Sequence, residues 1–74
     1  MNKNNSFIVQ AVLFDNVLYT TKQARKWLKT HNYKPIKRVH KTEKYFRYRI
    51  QKPEENNKYI FKSINNGIKL ILMK

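Results

Sequence analysis

Hydrophobic positions along the chain follow two different periods. Residues 7–14 read FIVQAVLF, a run of β-branched and aromatic residues interrupted by one glutamine, and Asp15 and Asn16 follow it. An apolar run of this length that ends in turn-forming residues predicts a largely buried strand.

The period then changes to that of a helix. Ala24, Trp27, Leu28 and His31 fall at positions i, i+3, i+4 and i+7, and basic or polar residues fill the other positions. This stripe predicts an amphipathic helix of about three turns. Trp27 is interpreted as an anchor in the core rather than as an exposed stacking surface. His31 is expected in the last turn, where an imidazolium complements the helix dipole.

The ends of this helix also have sequence signals. Thr20 or Thr21 can supply the oxygen of the N-cap. Asn32 can adopt the left-handed conformation of a C-terminal cap, and Pro35 prevents the helix from continuing.

The rest of the chain has the shorter period of strands. Strands are predicted at residues 36–42, 45–50, 58–64 and 68–73, with a hairpin connection at 41–44, a loop at 53–57 and a tight turn at 65–67. Alternation in the second of these strands separates two faces. The residues expected to face the helix are Phe46, Tyr48 and Ile50, and those expected on the opposite face are Tyr45, Arg47 and Arg49.

The element order β-α-β-β-β-β predicts a single small α+β domain at residues 7–74, preceded by a flexible N-terminus at residues 1–6. One amphipathic helix is expected to pack on one face of a mostly antiparallel sheet. The strands that follow the helix are expected to form a meander.

Positive charge is the strongest feature of the composition. The 74 residues include 17 Lys and Arg against 4 Asp and Glu, which gives a formal net charge of +13. A positive potential over so small a surface attracts polyanions, and nucleic acid is the expected partner.

The composition excludes several other classes of protein. A chain of 74 residues has room for one small core, and a hydrophobic fraction of 41% is too high for a disordered tail. Cysteine is absent, which excludes disulfides and thiolate metal sites. The apolar runs are shorter than the roughly 20 residues of a membrane span, so no membrane partner is expected. We expect no secretory signal, and the sequence indicates no particular compartment.

The residues that enzymes need are scarce. The four carboxylates are scattered, His31 and His40 fall on different predicted elements, and Gly67 is the single glycine. Neither a metal site nor a nucleophile elbow nor a phosphate-binding glycine loop can be built from this set. We therefore expect no enzymatic activity, no cofactor, no metal and no small-molecule substrate.

The Lys and Arg residues form three groups that can contact phosphates. One group is on the helix, one is in the segment that follows it, and one is on strand 45–50 and the preceding turn. The candidate nucleic-acid-binding residues are Lys22, Arg25, Lys26 and Lys29; Lys37, Arg38 and Lys41, with Lys34 beside them; and Lys44, Tyr45, Arg47 and Arg49. Arginines interleaved with aromatic rings are typical of proteins that bind single strands or RNA.

These residues also have interpretations that involve no ligand. A charged outer face is normal for any amphipathic helix. Arg47 and Arg49 can be solvated charges that deter aggregation at the edge of a sheet. Tyr48 is interpreted as a core residue.

We expect a small non-enzymatic protein that binds DNA in preference to RNA and largely without sequence specificity, because Lys dominates the helix rather than the residues that read base edges. A homodimer is expected because a short chain without metal or disulfide has little core. Two alternatives stay open. One is a structural component of a virion or assembly that contacts an acidic protein, and the other is an RNA-binding protein.

Three segments together resemble a small module of large double-stranded DNA viruses and tailed phages. They are residues 22–31 with the pattern Ala-x-x-Trp-Leu, residues 44–49 with alternating aromatic residues and Arg, and residues 67–71 with the opening Gly-Ile. The resemblance implies a virus-encoded basic protein that is packaged in the particle and associated with the genome. It supplies no catalytic residues. The chain departs from the module at Ile50, where the module often has Gln, and at its C-terminus, where the module usually has Gly.

Overall fold

The computed structural model describes residues 7–53 and 58–73. Within these ranges the chain forms the helix α1 (Thr21–Thr30) and the strands β1 (Ile8–Asp15), β2 (His40–Lys41), β3 (Tyr45–Arg49), β4 (Tyr59–Asn65) and β5 (Ile68–Met73). The predicted α+β class and the order β-α-β-β-β-β are confirmed. The predicted flexible terminus at residues 1–6 and most of the predicted loop at 53–57 lie outside the described residues. No described helix has the length and apolarity needed to cross a membrane.

The strands form one sheet in the order β2-β3-β1-β5-β4, and all neighbouring strands in it are antiparallel. The prediction of a meander is wrong, because β1 lies between β3 and β5. Residues 10–14 of β1 are all buried. A strand that is apolar on both faces is stable in the centre of a sheet, where side chains of the strands on either side shield it from water.

The strand predicted at residues 36–42 is reduced to the two residues of β2. The N–H of Ile36 donates to the carbonyl of Arg49 at 2.8 Å, and His40 pairs with Arg47. Between these two attachments the backbone bends at residues 36–37. Lys37 lies in the bend and Arg38 follows it, and neither residue is part of the hydrogen-bonded ladder.

Both predicted caps of α1 are present. Oγ1 of Thr20 accepts a hydrogen bond from the N–H of Gln23 at 3.1 Å, and Oε1 of Gln23 accepts one from the N–H of Thr20 at 2.9 Å. This is a capping box. At the other end Asn32 has a φ of 63°, and the N–H of Tyr33 donates to the carbonyl of Leu28 at 2.8 Å.

The main core lies between α1 and one face of the sheet. Its buried residues are Val12, Phe14, Ala24, Leu28, Tyr48 and Ile68. Phe14 makes edge-to-face contacts with Tyr19, Trp27 and Tyr48, at centroid distances of 5.6, 5.7 and 5.7 Å. As predicted, Phe46 and Ile50 also pack on this side of the sheet.

Trp27 is only partly buried, at the edge of this core. Its ring stacks on that of His31, with centroids 3.8 Å apart, and on that of Tyr33, with centroids 6.0 Å apart. His31 is the C-cap of α1, where its Nδ1 lies 2.8 Å from the carbonyl oxygen of Trp27. The indole therefore joins the core to the end of the helix.

The turn between β4 and β5 requires glycine. Gly67 has a φ of +88°, and a Cβ at this position would lie 2.8 Å from Cδ1 of Leu18. The carbonyl of Gly67 also accepts the N–H of Asp15 at 2.7 Å. The turn thus packs closely against the segment that follows β1.

Candidate nucleic-acid interface

The sheet divides the predicted binding residues between two surfaces. The strand β3 carries Tyr45, Arg47 and Arg49 on the face opposite α1, as the alternation predicted. We call this face, together with its continuation on β1, β5 and β4, the open face. Most of the other predicted cations lie on the helix side of the sheet.

Six cations on the helix side line two adjoining cavities. The larger cavity, of about 480 Å³, lies between α1 and β2, and the smaller, of about 350 Å³, lies at the end of α1. Both cavities contact Arg25 and Pro35, so they lie next to each other. We call the two cavities together the basic groove, and its cations are Arg25, Lys29, Lys34, Lys37, Arg38 and Lys41.

The groove has a buried wall residue on one side and exposed cations on the other. Tyr48, which is 2% exposed, contributes to its wall, and its hydroxyl lies 3.5 Å from the carbonyl oxygen of Thr21. Burial raises the pKa of Tyr48, and the positive charge of Arg25 opposes this rise. The six groove cations themselves are all exposed, and no described carboxylate lines either cavity.

The remaining predicted cations lie apart from the groove. Lys26 lies on another side of α1, beside Trp27 and His31, and Lys22 is exposed in the first turn. Lys44 is exposed in the turn between β2 and β3, where its carbonyl accepts the N–H of Asn16 at 2.9 Å. The structure therefore brings only part of the predicted helix group together with the group that follows it.

On the open face, Arg47 and Arg49 lie across from small or apolar residues of β1. Arg49 pairs with Ala11, and Arg47 pairs with Leu13. Both β1 residues are buried although the helix does not cover this face. Arginine commonly covers apolar surface with its aliphatic stem while the charged end stays near water.

The two arginine head groups are only partly satisfied by the described residues. The Nε atoms of Arg47 and Arg49 are buried and have no hydrogen-bond partner. Nη2 of Arg47 donates to Oε1 of Gln10 at 3.4 Å, a long contact. Burial lowers the pKa of Arg47, and the neighbouring charge of Arg49 lowers it further. Two like charges are thus held side by side on β3.

The ring of Tyr45 is less accessible to a ligand than the sequence indicated. Its ring is half-buried against the second core cluster, which contains Ala11, Leu13 and Ile71. Nζ of Lys69 lies 5.4 Å from the centroid of the ring, in a cation–π arrangement. At least one side of the ring is therefore already in contact with the protein.

Sequence reasoning missed an aromatic residue on this face. Phe61, on β4, is 66% exposed, and it lines a cavity of about 300 Å³ together with Arg47 and Gln10. The alternation of β4 could have indicated which residues share a side with Phe61. It could not show that Phe61 faces the same side of the sheet as Arg47. That depends on the pairing of β3 with β1, of β1 with β5 and of β5 with β4.

Metal chemistry has no support in the described part of the chain, where no three His, Asp or Glu residues are grouped as metal ligands would be. Comparisons with known proteins found no matching family model, no matching curated protein and no matching solved structure. The resemblance to a viral module therefore stays a prediction.

Proposed function

We propose that this chain is a small non-enzymatic protein that binds DNA largely independently of base sequence, through contacts of Lys and Arg with backbone phosphates. The basic groove is the observation that carries this proposal. Its six exposed cations line two adjoining cavities, and no described carboxylate lines either of them. A concave cationic surface is complementary to the phosphate backbone of a duplex.

The type and position of the groove cations support binding without sequence selectivity. Lys predominates over Arg among them, and Lys contacts phosphate as a point charge rather than through the planar fork that reads guanine. The groove cations also come from α1, from the connection to β2 and from β2 itself. Proteins that read sequence usually present a row of side chains from one helix to the major groove.

We further propose that the binding unit is a homodimer joined through β4. Among the described residues this strand has a neighbour on one side only, and its seven residues are all exposed. Ile60 and Ile64 are among them, and such an edge favours pairing with another strand. Lys62 is the one charged residue at positions 59–67, so repulsion between two basic chains is small at this edge.

Two grooves in one particle would strengthen binding to a polymer through avidity. Such a dimer would coat or compact DNA. The resemblance to a basic module of viruses and phages agrees with a role on a viral genome.

A salt titration of binding to a random-sequence duplex tests the function. If the groove neutralises four to six phosphates, the plot of log association constant against log salt concentration should have a slope of about −4 to −5, at about 0.9 per phosphate. Duplexes of different sequence should bind with equal affinity. Absence of duplex binding at about 150 mM salt would overturn the proposal.

Two variants of equal charge test whether the groove is the binding surface. Lys37→Gln with Arg38→Gln removes two groove cations, and Lys26→Gln with Lys52→Gln removes two exposed cations elsewhere. The groove variant should reduce the magnitude of the slope by about 1.8, and the control by much less. Equal reductions would show that only net charge matters, which would contradict the assignment to the groove.

A further inference from the structure

We propose that the open face is a second binding site, which takes a single strand of nucleic acid with its phosphates at Arg47 and Arg49 and an unpaired base against Phe61. The inference rests on the proposed function in that the ligand is again nucleic acid. It adds a different form of that ligand, bound on the opposite side of the sheet from the basic groove.

The first support is that, among the residues the structure describes, no carboxylate is paired with either arginine. Both Nε atoms are buried without a hydrogen-bond partner, and the two side chains lie on one face of β3. Asp15 is on the same face of β1, but its Oδ1 accepts the N–H of Val17 at 2.8 Å. A phosphate at this position would supply acceptors to both guanidinium groups and reduce their mutual repulsion.

The second support is an exposed aromatic ring in the same cavity. Phe61 is 66% exposed, and it shares a cavity of about 300 Å³ with Arg47. Bases of single strands stack on aromatic side chains, and this stacking tolerates any base because every base has a flat face. A phosphate contact and a stacking surface are therefore adjacent.

The register of the sheet aligns these groups. Arg49, Ala11, Ile71 and Phe61 form one row across four neighbouring strands. With strands about 4.8 Å apart, the Cα atoms at the two ends of this row are about 14 Å apart. Ala11 and Ile71, which are buried, form an apolar floor between the ends.

A duplex does not satisfy this arrangement. Its bases are paired and stacked on each other, so they cannot offer a free face to Phe61. The open face should therefore select single strands, while the basic groove requires only phosphates.

Fluorescence anisotropy with three labelled ligands tests the inference. The ligands are a twelve-nucleotide oligothymidine, an abasic strand of the same length and a duplex of random sequence. Phe61→Ala should weaken binding of oligothymidine at least about fivefold, since stacking on one aromatic residue contributes a factor of this size or more. It should leave binding of the abasic strand and of the duplex unchanged within about twofold.

The matched control is Val17→Ala. Val17 is 86% exposed in the turn that follows β1, and it lines neither the basic groove nor the cavity that contains Phe61. This variant should bind all three ligands as the original chain does. Equal effects of the two alanine substitutions on oligothymidine would overturn the inference.

The arginines are tested by charge-matched variants. Arg47→Gln with Arg49→Gln should reduce the magnitude of the salt slope for oligothymidine by about 1.4, at about 0.7 per phosphate of a single strand. The groove variant Lys37→Gln with Arg38→Gln should instead act mainly on the duplex. Preferential loss of oligothymidine binding in the groove variant would contradict a separate site.

These outcomes separate the two proposals. Loss of all duplex binding with intact, Phe61-dependent binding of oligothymidine would overturn the proposed groove function and leave the open-face site standing. The reverse result would overturn only the open-face site. If a twelve-residue polyglutamate binds as tightly as oligothymidine with the same dependence on Phe61, the open face binds acidic protein and the inference is wrong.

Discussion

Arg47 and Arg49 stand side by side on the helix-free face of β3, and the Nε atom of each is buried without a hydrogen-bond partner. The charge of Arg49 contributes to the lowered pKa of Arg47. A buried donor without a partner and a neighbouring like charge both destabilise the folded chain. This pair therefore does not stabilise the free chain.

Replacing Arg49 should stabilise the free protein. Arg49→Met removes the unpaired Nε and the repulsion with Arg47, and Met keeps a flexible apolar side chain across from Ala11. We expect the free energy of unfolding, measured by urea denaturation, to rise by about 1 kcal/mol. Lys62→Met, at an exposed position of β4, should change it by less than about 0.5 kcal/mol. A loss of stability in Arg49→Met would show that the guanidinium group makes favourable contacts in the free chain.

Two phenylalanines should differ strongly in their effect on stability. Phe14 is fully buried and contacts three aromatic rings, whereas Phe61 is 66% exposed. Phe14→Ala should lower the free energy of unfolding by about 3–5 kcal/mol, as large-to-small core substitutions do. Phe61→Ala should lower it by less than about 0.5 kcal/mol. Similar losses in the two variants would mean that Phe61 is part of the core and is not available to a ligand.

Tyr48 should make the fold sensitive to alkaline pH. Burial raises its pKa above the ordinary value of 10.0, so the folded chain holds this proton more tightly than the unfolded chain does. The resulting stabilisation is fully present below pH 10 and is lost as the pH rises through the folded pKa.

The matched variant for this effect is Tyr48→Phe. The urea midpoint of the original chain should fall more steeply than that of Tyr48→Phe between about pH 9 and about pH 11.5. Titration of the lysines is common to both proteins and cancels in the comparison. Parallel pH profiles would contradict a raised pKa at Tyr48.

Added charge on β4 should dissociate the proposed homodimer. Light scattering should give twice the 9.1 kDa of one chain for the original protein. It should give 9.1 kDa for Ile60→Lys with Ile64→Lys, because two like charges are placed on each strand at the interface. Val17→Lys with Ile36→Lys adds the same charge at other exposed hydrophobic positions and should remain a dimer. A mass of 9.1 kDa for the original chain would exclude the dimer.

Most local features of this fold could be predicted from the sequence. The stripe of Ala24, Trp27 and Leu28 indicated α1, and the threonine and asparagine beside it formed the expected caps. Alternation in β3 correctly separated Tyr48 from Arg47. Each of these features depends on residues that are close to each other in the chain, so the types of those few residues are sufficient to specify it.

The same kind of pattern gave a wrong prediction for the segment that follows the helix. Residues 36–42 alternate as a strand does, but only His40 and Lys41 join the sheet. Alternation describes which side a residue would face. It does not show whether a neighbouring strand offers hydrogen bonds at that position, and Lys37 and Arg38 contribute to the basic groove because they leave the ladder.

Local sequence patterns were sufficient to predict most elements of this protein, its excess of positive charge and the opposite faces of β3. The central position of β1, the meeting of Arg25 with Lys37 and Arg38 in one groove, and the cavity shared by Phe61 and Arg47 follow from the tertiary structure alone. Periodicity and caps act between near neighbours in the chain. The order of strands depends instead on the free energy of pairings between distant residues, which no local pattern encodes.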